Sequence, residues 1–272
     1  MYKRQGTGCD GQPLSFWAEG QDGWKVFSDR INKAGKGADV FLWYQGESDA
    51  LANSLNYQAD LKTFAARVRE AAESPKMMIV VIQLGALGQD DGSTYAEVRE
   101  AQRRFVIEDG NAILVPAVGR SVADTWHLSR AGYLELGQEI GRALLKTRHH
   151  SKDVNWPGPV LEKAVLKGDG KTVVAHFAEV NQLGGCLAED FAIVAPDGKA
   201  TIRAKAIKVE TGRTLVKLTF QDAVTLPAAL AYAPGNRPQA TLVDEAGNRA
   251  PAVQLPITQG TVPADKPSIA TK

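Results

Sequence analysis

The sequence predicts an α/β domain on a parallel sheet, followed by a small antiparallel β domain. Three observations predict it. Residues 38–147 alternate short apolar runs with segments of helical periodicity. Residues 147–159 turn polar and then carry the breaker cluster Trp156-Pro157-Gly158-Pro159. Beyond 160 the pattern becomes short strand-like runs separated by Gly/Asp turns.

Residues 22–34 read as a helix, with Trp24, Phe27 and Ile31 at core spacing. Residues 39–44 form a short apolar run of the kind a strand covered on both faces requires. Residues 51–73 place Leu51, Leu55, Leu61, Phe64 and Val68 at helical spacing, and Pro75 stops them. A second buried strand is expected at 77–82. A helix follows at 94–107, with Thr94 as cap and Glu97 closing a capping box. Residues 112–115 are the third strand, and a helix over 129–146 ends the region. Strands separated by helices imply right-handed crossovers, hence parallel pairing.

In the second region, 160–166 and 172–177 flank the hairpin signal Lys167-Gly168-Asp169-Gly170. Strands at 191–195, 202–209, 214–220, 230–232 and 240–243 follow, with turns at Pro196-Asp197-Gly198 and Thr211-Gly212. Such a series predicts a sandwich-like domain. The expected division is 1–147, a linker at 148–159, a β domain at 160–255 and a disordered tail at 256–272, which is rich in Pro, Thr and Lys.

Composition narrows the partners. The 272 residues carry 32 Lys+Arg against 31 Asp+Glu, so no basic footprint for nucleic acid or an anionic membrane is expected. No apolar run approaches the roughly 18 residues of a membrane span. Cys9 and Cys186 make neither a disulfide framework nor a metal cluster, and no metal or organic cofactor is expected. Met1-Tyr2-Lys3-Arg4-Gln5 has no apolar signal region. It resembles the translation of a transposon end, so residues 1–5 are expected to be a sequencing-library scar.

Two stretches offer chemistry. Asp124-Thr125-Trp126-His127 sets a carboxylate and an imidazole three residues apart, on a loop after the last strand of the sheet. Acyl transfer needs a base that works near neutral pH, and a carboxylate on its other nitrogen fixes the tautomer. A helix cap at Asp124 and a packed His127 is the plainer alternative. His149, His150 and His176 are poorer candidates, being in the linker or in a β-domain strand. Gln45-Gly46-Glu47-Ser48 stands where a strand meets a helix. Gly46 permits a tight turn, and the Gln45 amide could donate to a developing oxyanion. Glu47 as a first-turn anion and Ser48 as an N-cap are the structural alternatives.

Trp43-Tyr44-Gln45-Gly46-Glu47-Ser48-Asp49-Ala50, Arg99-Glu100-Ala101-Gln102 and Asp124 to Tyr133 together resemble the sialate O-acetylesterase group of the SGNH-hydrolase superfamily. Related acetylxylan esterases share the pattern, and order and spacing match over 8–147. The resemblance implies a three-layer, flavodoxin-like parallel sheet and hydrolysis of acetyl esters on carbohydrate. It implies His127 as base, Asp124 as its partner, Gln45 within the oxyanion block and Glu47 as a supporting or alternative acid. Gly11, in Gly11-Gln12-Pro13-Leu14-Ser15-Phe16-Trp17, is similar to the glycine of the family's second block, whose N–H faces the oxyanion.

The resemblance also implies a departure. The family's nucleophile lies in a Gly-Gln-Ser-Asn block on the first strand, and this sequence has no such tetrapeptide. The expectation is an N-terminally incomplete sheet whose serine and first strands are missing, inactive alone, from a periplasmic or extracellular parent. One alternative is a complete α/β hydrolase using Ser48 in a strand-to-helix elbow, in the chain order Ser48, Asp124, His127. Another is a non-catalytic carbohydrate-binding protein with Trp156 and Tyr232 as sugar platforms. The expected partner is an acetylated carbohydrate, with oligomeric state left open.

Overall fold

A computed structural model describes residues 11–85, 94–196 and 202–265. The expected scar at 1–5, Cys9, most of the turn at 196–198 and the end of the expected tail lie outside these residues. The described residues form two compact units, the first taking 11–84 and 94–115, the second 85, 116–196 and 202–265.

The first unit is α/β. Helix α1 (Asp22–Arg30) precedes strand β1 (Val40–Trp43), helices α2 (Glu47–Leu51) and α3 (Tyr57–Ala71), strand β2 (Met78–Gln83), helix α4 (Tyr95–Asp109) and strand β3 (Ala112–Pro116). The sheet order is β1-β2-β3. β1 and β2 run parallel, from Val40 opposite Met78 to Trp43 opposite Val81. All six residues of β2 are buried, as the apolar run required. Leu61, Phe64, Ala65 and Val68 of α3 are buried at helical spacing. Phe64 meets Trp43 with ring centroids 4.5 Å apart, Phe27 at 5.6 Å and Phe41 at 6.0 Å. Leu42, between Phe41 and Trp43 and so on the other face of β1, is 50% exposed.

The expected helix at 51–73 starts only at Tyr57, and Leu51 ends the separate α2. Asn53 takes a left-handed φ of 52°, which asparagine tolerates, and Ser54 N–H closes on Asp49 O at 2.9 Å. Ser48 is not the N-cap of α2: Gly46 occupies that position and Ser48 lies in the first turn. The expected capping box of α4 is also not made. The Thr94 hydroxyl donates instead to Ala50 O at 3.0 Å, tying α4 to the end of α2.

The second unit contains helix α5 (Arg130–Thr147) and eight strands: β4 (Val160–Leu166), β5 (Thr172–Ala178), β6 (Phe191–Val194), β7 (Ile202–Lys205), β8 (Lys208–Thr211), β9 (Leu215–Thr219), β10 (Ala229–Tyr232) and β11 (Val253–Gln259). They bond in one sheet, ordered β7-β6-β10-β11-β4-β5-β9-β8. Neighbours are antiparallel except β11 and β4. Only Ala206 and Ile207 separate β7 from β8, the two ends of that order, so the sheet must curl back on itself. The expected two-layer sandwich is thus one curled sheet, and the expected strand at 202–209 is the crossing between its ends. Phe177, Phe191, Leu218, Leu230 and Ile257 share the core inside it.

Two further expectations change. Residues 240–243 are not a strand; Val243 makes only an isolated bridge with Arg249. The β domain does not end at 255, because β11 runs to Gln259 between β10 and β4. Pro256 reads as a breaker, but the pairing with β4 begins at Ile257, after the missing N–H.

Candidate active site

The path to Asp124 and His127 starts at the end of β3. Gly119 has a φ of 77°, and a Cβ there would stand 2.3 Å from Ala240 O, so only glycine fits. Arg120 follows with its side chain buried. Its guanidinium pairs with the buried Glu139 carboxylate of α5, and Nε donates to Pro116 O at 3.2 Å. Burial pulls the Arg120 guanidinium down and pushes the Glu139 carboxyl up, while their mutual attraction opposes both.

Residues 121–129 then form a tight hairpin. Ser129 N–H donates to Ser121 O at 2.8 Å, Ala123 N–H to His127 O at 2.9 Å, and Val122 bridges Leu128. Ser129 caps α5, its hydroxyl accepting from Gly132 N–H at 3.1 Å. A Cβ on Gly132 would meet Ser121 O at 2.5 Å, so this glycine lets the hairpin base close against α5.

The tip is organised by one carboxylate. Asp124 Oδ1 accepts from the N–H groups of Trp126 at 2.7 Å and His127 at 2.8 Å. Asp124 Oδ2 lies 2.9 Å from His127 Nδ1. Aspartate side chains commonly close turns in this way, and the three-residue spacing lets one group reach both backbone and ring. The His127 ring, then the Trp126 and His127 amides, hold the Asp124 carboxyl down to about 2. Both side chains are 53% exposed. Asp124 does not cap α5, and His127 is not a packed core histidine.

The Gln45–Ser48 block belongs to the first unit. β1 delivers Gln45 at its end, 7% exposed. Gln45 Nε2 donates to Gln12 O at 3.1 Å and to Asp49 Oδ2 at 2.5 Å. Its two amide protons are therefore committed to Gln12 and Asp49. Tyr57 Oη donates toward Gln45 O at 2.9 Å, and Gln102 Nε2 reaches the same carbonyl at 3.0 Å. Leu14 N–H donates to Asp49 Oδ2 at 2.8 Å. These bonds fasten the segment after Gly11 to α2. Gly11 itself is exposed, with a φ of 65° and open space where a Cβ would stand. Gly46 has a φ of 142°, and a Cβ would lie 2.9 Å from Val98 Cγ1. Glu47 and Ser48 are half-buried in the first turn of α2.

All four histidines of the chain belong to the second unit. His149 and His150 follow α5 and are exposed. His176 Nδ1 lies 3.2 Å from Glu162 Oε2 within the curled sheet. Tyr232, expected as an exposed sugar platform, is 1% exposed and packs on Phe191 with ring centroids 5.3 Å apart. Trp156 is half-buried.

Sequence reasoning assigned no role to Asp49, Tyr57, Gln102 or Trp126. Asp49 and Gln102 carry a signal, since Asp49 stands four residues after Gln45 and Gln102 ends the Arg-Glu-Ala-Gln motif. Burial pulls Arg99 in that motif down to about 10. Among the described residues, no cluster of His, Cys, Asp and Glu could hold a metal ion. No described helix is long and apolar enough to cross a membrane.

A solved carbohydrate acetylesterase from Xanthomonas citri is similar in fold, with a TM-score of 0.69 and 18% identity. The alignment covers 90% of this chain and 58% of that one, so this chain spans little more than half the length of its structural relative. A protein from Arabidopsis thaliana matches at 24% identity over 50% of this chain and 58% of that one, with a TM-score of 0.44. No curated protein sequence matches the chain. The sequence profile of the family described as carbohydrate esterase, sialic acid-specific acetylesterase, matches residues 7–146, more than half of the chain. The chain thus belongs to the sialic acid-specific acetylesterase family of carbohydrate esterases.

Proposed function

We propose that the protein hydrolyses acetyl esters on carbohydrate, with His127 as general base and acid and Asp124 as its partner. The observation that carries this reading is the 2.9 Å contact between Asp124 Oδ2 and His127 Nδ1 on an exposed hairpin tip. A carboxylate on Nδ1 keeps the neutral ring's proton there and puts the basic lone pair on Nε2. Nε2 then takes the proton of a serine hydroxyl as its oxygen attacks the acetyl carbon. The same proton passes to the departing sugar oxygen. Water, deprotonated by His127, releases acetate and restores the serine. Asp124, held ionised, stabilises the imidazolium in both steps.

The serine in this reading is that of a Gly-Gln-Ser-Asn block outside these 272 residues, and the chain alone is then without its nucleophile. Within the first unit, Gln45 and Asp49 brace the turn at Gly46 and the segment after Gly11.

The test is acetate release from O-acetylated sialic acid and acetylated xylan by a form of the protein that contains such a block. His127→Ala should lower the rate by on the order of a thousandfold or more. Undiminished release by that variant would overturn the assignment. Activity of the 272-residue chain that Ser48→Ala abolishes would move the nucleophile to Ser48.

A further inference from the structure

We infer that Trp126 is the sugar-binding platform of this site: its indole stacks on the pyranose ring whose acetyl ester is presented to His127. The inference rests on the esterase reading above and names the group that holds the substrate's sugar. Trp126 and His127 are consecutive residues on the tip of the hairpin closed by Val122 and Leu128. One oxygen, Asp124 Oδ1, pins both their backbone N–H groups, at 2.7 and 2.8 Å. The indole and the imidazole therefore come from consecutive residues of one turn, whose backbone the same carboxylate holds.

Trp126 is 37% exposed, whereas Trp17 and Trp43 are 4% and 6% exposed in the core of the first unit. Exposing a tryptophan face to water forgoes hydrophobic stabilisation. The neighbouring Val122 is also 40% exposed, which widens the apolar surface around the turn. A pyranose presents a face of C–H groups ringed by hydroxyls. Such a ligand suits a flat aromatic surface with a polar rim, and a tryptophan offers a large, rigid one.

The experiment is titration of the 272-residue chain with a methyl O-acetyl-pyranoside, followed through the Trp126 indole N–H resonance. Trp126→Ala, Trp126→Phe and His127→Ala are titrated in parallel by calorimetry. A saturable shift at Trp126 is expected. Affinity should fall about tenfold in Trp126→Ala and stay within about threefold in Trp126→Phe and His127→Ala. Trp126→Phe keeps an aromatic face, so it also separates lost stacking from a collapsed hairpin. An unmoved Trp126 resonance, or equal affinity in Trp126→Ala, overturns the inference. Failure of the esterase reading is a different result, namely undiminished acetate release by His127→Ala.

Discussion

Leu14 N–H donates to Oδ2 of Asp49 at 2.8 Å, across 35 positions of sequence. The same oxygen accepts from the Gln45 amide, and the carboxylate is 5% exposed. Alanine at 49 would bury two donors without an acceptor, at about 1–3 kcal/mol each. Asp49→Ala should therefore lose about 2–4 kcal/mol in urea melts, while Asp49→Asn, which keeps an acceptor, stays within about 1 kcal/mol. Burial pushes the Asp49 carboxyl above its usual range against these hydrogen bonds. A raised folded-state pKa gives a contribution fully present below the unfolded value and lost as pH rises through the folded one. Asp49→Asn lacks that loss, so its stability should gain on the native protein as pH climbs.

Gly46 joins β1 to α2 with a φ of 142°, and its Cβ position is crowded by Val98 at 2.9 Å and Leu84 at 3.1 Å. Gly46→Ala should cost about 2–5 kcal/mol, from backbone strain plus overpacking. Gly137, in α5 with nothing within 4 Å of its Cβ position, is the control. Gly137→Ala should raise stability by about 0.5–1 kcal/mol. Equal melting temperatures for the two variants would contradict the geometry.

Asp124 is held down to about 2, first by His127 and then by the two amides. A lowered folded-state pKa contributes stability present above the unfolded value and lost as pH falls through the folded one. The Asp124–His127 contact should thus keep its carboxylate from neutrality down to about pH 4 and lose it only below that. Carboxyl NMR should show no Asp124 titration above about pH 4. A carboxyl inflection in that range would show that the contact is not kept in solution.

Arg120 and Glu139 are buried together, with side chains 2% and 1% exposed. Arg120→Ala would leave the Glu139 carboxylate buried without its partner, at about 3–5 kcal/mol. Arg120→Met with Glu139→Leu removes both charges and should cost less than Arg120→Ala alone. Comparing the two variants by calorimetry separates the worth of the pair from the penalty of breaking it. The single variant should also broaden the His127 ring resonances, because Arg120 stands at the foot of the hairpin that carries them.

The alternation at 38–115 was legible because each of β1, β2 and β3 is a short apolar run between helical segments. The helix break at 52–56 was not, since Leu51 and Leu55 keep helical spacing while Asn53 turns left-handed and Leu55 is 93% exposed. Tyr232, a sugar platform only in the carbohydrate-binding alternative, is turned inward onto Phe191 by its strand. The Gln45 amide looked available from its place after β1. Only the fold shows both of its protons bound.

The sequence by itself determined one local feature of the site, the turn from Asp124 to His127. Asp-Thr-Trp-His fixes its own turn, because one carboxylate can reach two amides and an imidazole over three positions. Tertiary structure alone decided what depends on distant partners: the order of the eight strands, the extension of β11 past Pro256, and the joining of Leu14 to Asp49. Each of these is chosen by which apolar faces and polar groups can be buried together, a condition on the whole chain that no local pattern encodes.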